Sequence, residues 1–266
     1  MIRLALIPLA LLLFPVTSIK AKRDTQIIMA VFAHPDDEIT ISPLLAKYAQ
    51  MGNKVYLVIA TKGEKGTREH AGIAEGDALA ETRRKEAACA CAALGINPPI
   101  LLGLNDGELD VDFTAAPLHA KLDSVFKLYQ PDVLITWGPD GGYGHMDHRL
   151  VHNVVTELFQ ANDEAKPSAL YYTGVPKEIF KNLAALKTES GIFLQKGWLP
   201  VKEKYLTAHI PIALDDLQKG EKAMRCQASQ YSPAEMDEVA TWMHLTKDTV
   251  YLRPFLPTMH VQYNLY

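Results

Sequence analysis

Two short stretches of this sequence bring together side chains able to hold a metal ion and move protons. The first is His34-Pro35-Asp36-Asp37-Glu38, four ionisable groups in five residues. Acids in a helix's first turn are favoured by its dipole, and proline is welcome there. Capping accounts for one or two of the acids and gives no reason for His34. Four such groups repel one another unless a cation gathers them. The second stretch is Gly138-Pro139-Asp140-Gly141-Gly142-Tyr143-Gly144-His145-Met146-Asp147-His148. His145 and His148 stand three apart, on one face if a helix starts there. Gly141, Gly142 and Gly144 allow close backbone approach beside them. A histidine pair alone can be an ordinary surface feature; beside the first cluster it becomes a ligand candidate.

Together the two stretches can offer two imidazoles and a carboxylate to one divalent ion, leaving positions for water. Catalytic zinc favours three protein ligands plus water, and the same set suits non-haem Fe2+. Such an ion lowers the pKa of bound water toward ~7 and polarises a carbonyl, which brings amide hydrolysis within reach. A free carboxylate beside the metal can take the water's proton. A histidine opposite can stabilise the oxyanion or protonate the leaving amine.

Both stretches follow apolar runs that read as strands. Ile27 to Ala33 and Val133 to Trp137 are short, continuous and apolar, as in strands buried on both faces. Between them the spacing predicts a helix over Ile41 to Met51, a strand over Lys54 to Ala60, and a polar loop over Thr61 to Gly76. A helix over Asp77 to Leu94, a short strand over Ile100 to Leu102 and an amphipathic helix over Ala115 to Tyr129 follow. A further helix is expected from about Asp147 to Asn162. Alternating strands and helices with buried strands predict an α/β, Rossmann-like three-layer fold with a mostly parallel sheet. In such sheets ligands bind at the carboxyl ends of strands, where both clusters fall. After Lys166 a smaller, less regular C-terminal portion is expected, with strands near Ala169 to Tyr172 and His209 to Ile212 and a helix over Asp215 to Ser229.

The chain has 266 residues, 48% hydrophobic and 22% charged, a balance that excludes wholesale disorder and allows a full core. A formal net charge of −4 argues against a nucleic-acid or anionic-membrane partner. Three cysteines exclude a disulfide-rich scaffold and a four-thiolate zinc site, which turns attention to the nine histidines. Cys89 and Cys91 point to different faces of one predicted helix and are poor partners for each other. Cys226 pairs with one of them only if the fold brings it close; the simpler expectation is three small buried residues. Arg3, the apolar run Leu4 to Val16 and the small residues that follow fit a secretory signal peptide over residues 1–21. The run is short of the ~20 residues needed to span a bilayer. Residues 22–266 are then expected as one exported domain, periplasmic or extracellular, with no membrane span after cleavage.

Ala33 to Glu38 together with Gly141 to His148 resembles the PIG-L/LmbE-like deacetylases, zinc-dependent enzymes that remove acetyl groups from N-acetylglucosamine-type amino sugars. Thr61 to Gly66, Arg83 to Gly95 and Leu104-Asn105-Asp106 agree with the resemblance, which covers Ile27 to Asn162 well and the rest loosely. It implies zinc ligation by His34, Asp37 and His148, and a general base at Asp36. It implies His145 as electrophile or general acid, Asp147 orienting and charging that histidine, and Tyr143 polarising the amide carbonyl or hydrogen-bonding the tetrahedral intermediate. Arg68 and Asp106 stand where the family contacts sugar or aglycone. The implied partner is a small-molecule or glycoconjugate amino sugar. Two departures stand out. Ile39 to Pro43 replaces a glycine-rich helix start, and Gln227 stands where relatives often carry a histidine two residues before Ser-Gln. Glu38 reads equally as a supporting group or a first-turn acid.

Three rivals share these residues: a zinc amidase acting on a non-acetyl amide, a non-catalytic carbohydrate-binding protein, and an Fe2+ oxygenase. Retention of both Asp36 and His145 argues against the non-catalytic reading. No G-x-G-x-x-G opens a helix after the first strand, which disfavours a dinucleotide-dependent dehydrogenase.

Overall fold

Strand β1 (Ile27–Phe32) shows why its apolar run is continuous. Ile28, Ala30 and Phe32 belong to one core cluster, while Met29, Val31 and Ala33 belong to another. Successive side chains of a strand point to opposite faces, so a strand covered on both sides must be apolar at every position. The computed structural model describes residues 25–109, 115–163, 165–183, 186–246 and 248–266. The leader expected over residues 1–21 lies outside them.

Helix α1 (Ser42–Gln50) opens with Pro43 in its first turn. It runs into β2 (Lys54–Thr61), and α2 (Asp77–Leu94) then ends at Gly95, whose φ of 73° suits a left-handed helix stop. Next come β3 (Ile100–Leu104), α3 (Ala115–Tyr129) and β4 (Val133–Thr136). The one-turn α4 (Gly141–Gly144), α5 (Met146–Gln160) and β5 (Ala169–Thr173) follow. The C-terminal part contributes α6 (Lys177–Leu183), α7 (Glu189–Gly197), β6 (Ala208–Pro211), α8 (Leu214–Met224), α9 (Pro233–Thr246) and β7 (Thr249–Pro254).

The sheet order is β3-β2-β1-β4-β5-β7-β6. The first five strands are parallel, and β7 pairs antiparallel with both β5 and β6. Residues of α1, α2, α8 and α9 fill one core, and residues of α3 and α5 fill the other, giving three layers around the sheet. The C-terminal portion is therefore joined to the sheet by its strands. Four of its elements, α6, α7, α9 and β7, lie outside what the sequence pattern led one to expect.

The cysteine expectation is overturned. Cys89, on the exposed face of α2, forms a disulfide with Cys226 just past the end of α8, while Cys91 is free and buried. The helix periodicity that separates Cys89 from Cys91 is what turns Cys89 outward to meet the returning chain.

Candidate metal centre

β1 has β2 on one side and β4 on the other, so the connections that follow β1 (to β2) and β4 (to β5) run in opposite directions across the sheet. Ligands bind at such a reversal, beyond the carboxyl ends of the strands. Because Val31 pairs with Thr136, the chain leaves β1 and β4 side by side, and His34 to Glu38 faces Gly138 to His148.

His34 Nδ1 lies 3.0 Å from His148 Nε2. Asp37 Oδ1 is 3.3 Å from His148 Nε2, and Asp37 Oδ2 is 3.7 Å from His34 Nδ1. A tetrahedral ion with bonds of about 2.0–2.1 Å separates its donors by roughly 3.4 Å. The partners behind these atoms settle the tautomers by hydrogen-bond logic. His34 Nε2 faces Asp106 Oδ1 at 3.0 Å and Asp147 Oδ2 at 3.2 Å, so it carries the proton. His148 Nδ1 donates to the Gly141 carbonyl at 3.0 Å. Two imidazole lone pairs thus confront each other beside a carboxylate, an arrangement that repels unless a cation lies between them. Burial opposes charge on His34, yet Asp106, Asp147 and Asp37 raise its pKa well above the ordinary histidine range, so its Nδ1 takes up a cation readily, a proton when no metal ion is there. The donor set fits a divalent metal ion.

Asp37 Oδ2 accepts from the backbone N–H groups of Ala33 and His34, at 3.0 and 2.9 Å, and from Trp137 Nε1 at 3.1 Å. Oδ1 is left toward His148. Trp137 also stacks flat on the His148 ring, centroids 4.2 Å apart, and its carbonyl accepts from His152 Nδ1 at 2.9 Å. The sequence reading took Trp137 only as the end of a strand.

Asp36 sits beside these three candidate ligands with a φ of 93°, a left-handed conformation unusual for a residue other than glycine. Its N–H donates to Glu38 Oε2 at 3.0 Å, and its Oδ1 accepts from Arg83 Nη2 at 3.0 Å. Arg83 also donates to the carbonyls of Pro35 and Gly63. A Cβ on Gly66 would come within 2.7 Å of Arg83 Nη1, so that glycine makes room for the guanidinium. Burial raises the Asp36 carboxyl to about 6; Arg83 opposes that shift and Asp37 adds to it. Arg83 was legible only as part of a family stretch, and its role beside Asp36 was missed. Glu38 proves to be a supporting group as well as a first-turn acid. Fully buried, it is raised to about 7 by burial and then by Asp36, and its Oε1 accepts from Gln227 Nε2 at 2.8 Å.

His145 caps α5, with Nδ1 accepting the Asp147 N–H at 3.2 Å. The three imidazoles of His34, His145 and His148 also converge. In neutral His145, however, the remaining nitrogen carries the proton and offers a donor rather than a lone pair. Burial, followed by His34 and His148, lowers its pKa and keeps it neutral. Two expectations need correction here. The Asp147 carboxylate does not turn to His145: it accepts from Gly107 N and Leu109 N at 2.8 and 3.2 Å and faces His34. Asp106, expected against the sugar, is buried behind His34, with Oδ2 accepting from Lys65 N at 3.2 Å. The loop around Gly107 wraps Asp147, and that long-range contact leaves no local trace in sequence.

Residues 29–159 match the PIG-L family, described as GlcNAc-PI de-N-acetylase. A 1D-myo-inositol 2-acetamido-2-deoxy-alpha-D-glucopyranoside deacetylase of Corynebacterium diphtheriae is 33% identical over 229 residues, covering 76% of this chain and 75% of the relative. A mycothiol S-conjugate amidase of Streptomyces coelicolor is 32% identical over 248 residues, covering 77% of this chain and 83% of the relative. The chain belongs to the PIG-L family of de-N-acetylases. The N,N'-diacetylchitobiose deacetylase from Pyrococcus horikoshii shares the fold at 21% identity, with a TM-score of 0.63, over 88% of this chain and 85% of the other.

In this PIG-L chain the candidate metal centre opens into a cavity of about 410 Å³ that Asp36, Asp37, Tyr143 and Arg68 help to line. Burial, then the Asp37 charge, raises the Tyr143 hydroxyl above its ordinary range, so it stays a donor. The Tyr143 ring lies 5.1 Å from His148 and 5.9 Å from His145. Gly142, with a φ of 72°, lets this turn approach Trp137, which a Cβ would meet at 3.0 Å. Arg68 reaches the cavity as expected, but its charge is engaged, with Nη2 2.8 Å from Glu235 Oε1.

Proposed function

We propose that this chain is a zinc-dependent N-deacetylase of N-acetylglucosamine-type amino sugars. The observation that carries the reading is the facing pair of imidazole lone pairs with Asp37 Oδ1, next to an uncoordinated carboxylate on Asp36. His34 Nδ1, Asp37 Oδ1 and His148 Nε2 would hold the zinc, which when bound acidifies water and polarises a carbonyl.

Asp36 takes the proton of the attacking water. Its raised pKa suits a group that must gain and then release a proton near neutrality. Arg83 holds the Asp36 carboxylate in place through Oδ1 and limits how far that pKa climbs. The protonated nitrogen of His145 and the Tyr143 hydroxyl supply hydrogen bonds where negative charge grows on the former acetamide oxygen. Asp36, now protonated, returns the proton to the departing amine, leaving acetate and a free amino sugar. Asp106 and Asp147 fix the His34 tautomer and leave the Nδ1 lone pair facing the site. The likeness to the mycothiol S-conjugate amidase supports a second reading, the same hydrolysis on an amide with a larger acyl group.

Export is part of the proposal. It is supported by the short apolar run Leu4 to Val16 after Arg3 and by the Cys89–Cys226 disulfide, a bond that persists in oxidising compartments. Among the described residues no helix is long and apolar enough to cross a membrane.

The test has two parts: elemental analysis of purified protein, then free-amine detection on acetylated amino sugars and on amides with larger acyl groups. One zinc per chain with amine release from the acetylated sugars is expected. Iron in place of zinc with oxygen consumption, or amine release only from the larger amides, overturns the reading.

A further inference from the structure

Rings continue outward from the metal centre in an unbroken series. Trp137 stacks on His148, Trp198 lies 5.9 Å from Trp137, Tyr143 lies 6.0 Å from Trp198, and Phe193 lies 4.9 Å from Tyr143. Phe193 lies midway along α7 and Trp198 just beyond its end, and with Leu194 and Phe180 they line the cavity. Phe193 is 49% exposed and the neighbouring Leu199 63%. A cavity near 410 Å³ falls in the roughly 300–1,000 Å³ range of sites that enclose a ligand larger than one sugar ring.

Several polar groups of the same wall are already engaged with the protein. Arg68 is the one basic side chain lining the cavity among the described residues, and Glu235 holds it. Ser190 Oγ donates to Glu235 at 2.6 Å, Gln230 Nε2 to the Gly66 carbonyl at 2.9 Å, and Thr40 Oγ1 to the Asp37 carbonyl at 3.1 Å. A phosphate or carboxylate here would meet an Arg68 whose charge Glu235 already offsets. A hydroxyl-rich group would lose hydration and find only part of that wall's polar groups open to it. An apolar group loses nothing polar and covers half-exposed rings.

We propose that the substrate's aglycone is an uncharged apolar group, alkyl or aryl, lying along Tyr143, Trp198, Phe193 and Leu194. The inference rests on the deacetylase reading and names the substrate class within it.

The test compares kcat/KM of the metal-loaded, full-length protein for four N-acetylglucosamine derivatives: the methyl, octyl and phenyl glycosides, below micelle-forming concentrations, and the 1-phosphate. Octyl or phenyl should exceed methyl at least tenfold, about 1.4 kcal/mol, and the 1-phosphate should not exceed methyl. Whichever of octyl and phenyl is higher names the alkyl or the aryl source. Phe193→Ala should shrink the octyl-to-methyl or phenyl-to-methyl ratio at least threefold. Equal rates for methyl, octyl and phenyl, or a preference for the 1-phosphate, overturn the apolar aglycone and leave the deacetylase reading standing. No free amine from any derivative overturns both.

Discussion

Replacing Cys226 by serine removes a bond that closes the chain over a sequence separation of 137. In the chain-entropy picture, a loop of that length restricts the unfolded ensemble by about 5 kcal/mol at 25 °C, and measured disulfides commonly deliver about 2–4 kcal/mol. The folded state should change little. The turn after Cys226 is also held by Gln227 on Glu38, at 2.8 Å, and by Ser229 N and Oγ on Glu86, both at 2.6 Å. Cys226→Ser should therefore lower the urea midpoint by roughly 1–2 M, given a slope of about 2–3 kcal/mol/M. Wild-type protein kept in reductant should move to the same midpoint, and activity without denaturant should persist in both. Thiol titration of unreduced, denatured wild type should find one free thiol, Cys91. Three free thiols, or a midpoint unmoved by both the variant and the reductant, would refute the reasoning.

Asp36→Asn should cut kcat by about 10²–10⁴ while elemental analysis still finds one metal per chain; a loss below tenfold would remove Asp36 as the base. Trp137→Leu deletes the donor to Asp37 Oδ2 and the ring stacked on His148. It should weaken metal affinity by about 10–100-fold in chelator competition, and unchanged affinity would contradict the positioning role. Burial would raise the Glu235 carboxyl, but Ser190, Ser232 and Arg68 bring it down to about 2. A depressed folded pKa contributes stability that is complete above the unfolded value near 4.5 and is lost as pH falls toward 2. Glu235→Gln should therefore be less stable by roughly 1–2 kcal/mol at pH 6, after allowance for screening, with the gap to wild type closing by pH 2 in chemical denaturation. A gap that stays constant with pH would refute the assignment.

His34, Asp36, Asp37, His145 and His148 were legible because each cluster is contiguous and follows a buried strand, and adjacent parallel strands release their following residues at the same edge. The strands themselves were legible for a related reason: Ile27–Phe32 and Val133–Thr136 are apolar at every position, which a sheet covered on both faces requires. Trp137 was not, because a tryptophan at the end of an apolar run reads as core whether or not its Nε1 meets a carboxylate. Asp106 and Asp147 were found as residues but given the wrong partners. Nothing local in sequence tells which carboxylate of a crowded site turns toward which imidazole.

The order of residues along the chain thus determined the chemical groups, the two strands that deliver them and the ion-binding character of the place where they meet, all of which depend on local pattern. Tertiary packing alone decided the rest: the tautomer of His34, the company of Asp36, the Cys89–Cys226 bond and the aromatic wall from α7. Each depends on contacts between segments tens to nearly two hundred residues apart, such as Gln227 with Glu38. Contacts at that separation are set by how helices and strands stack, which periodicity along the chain does not encode.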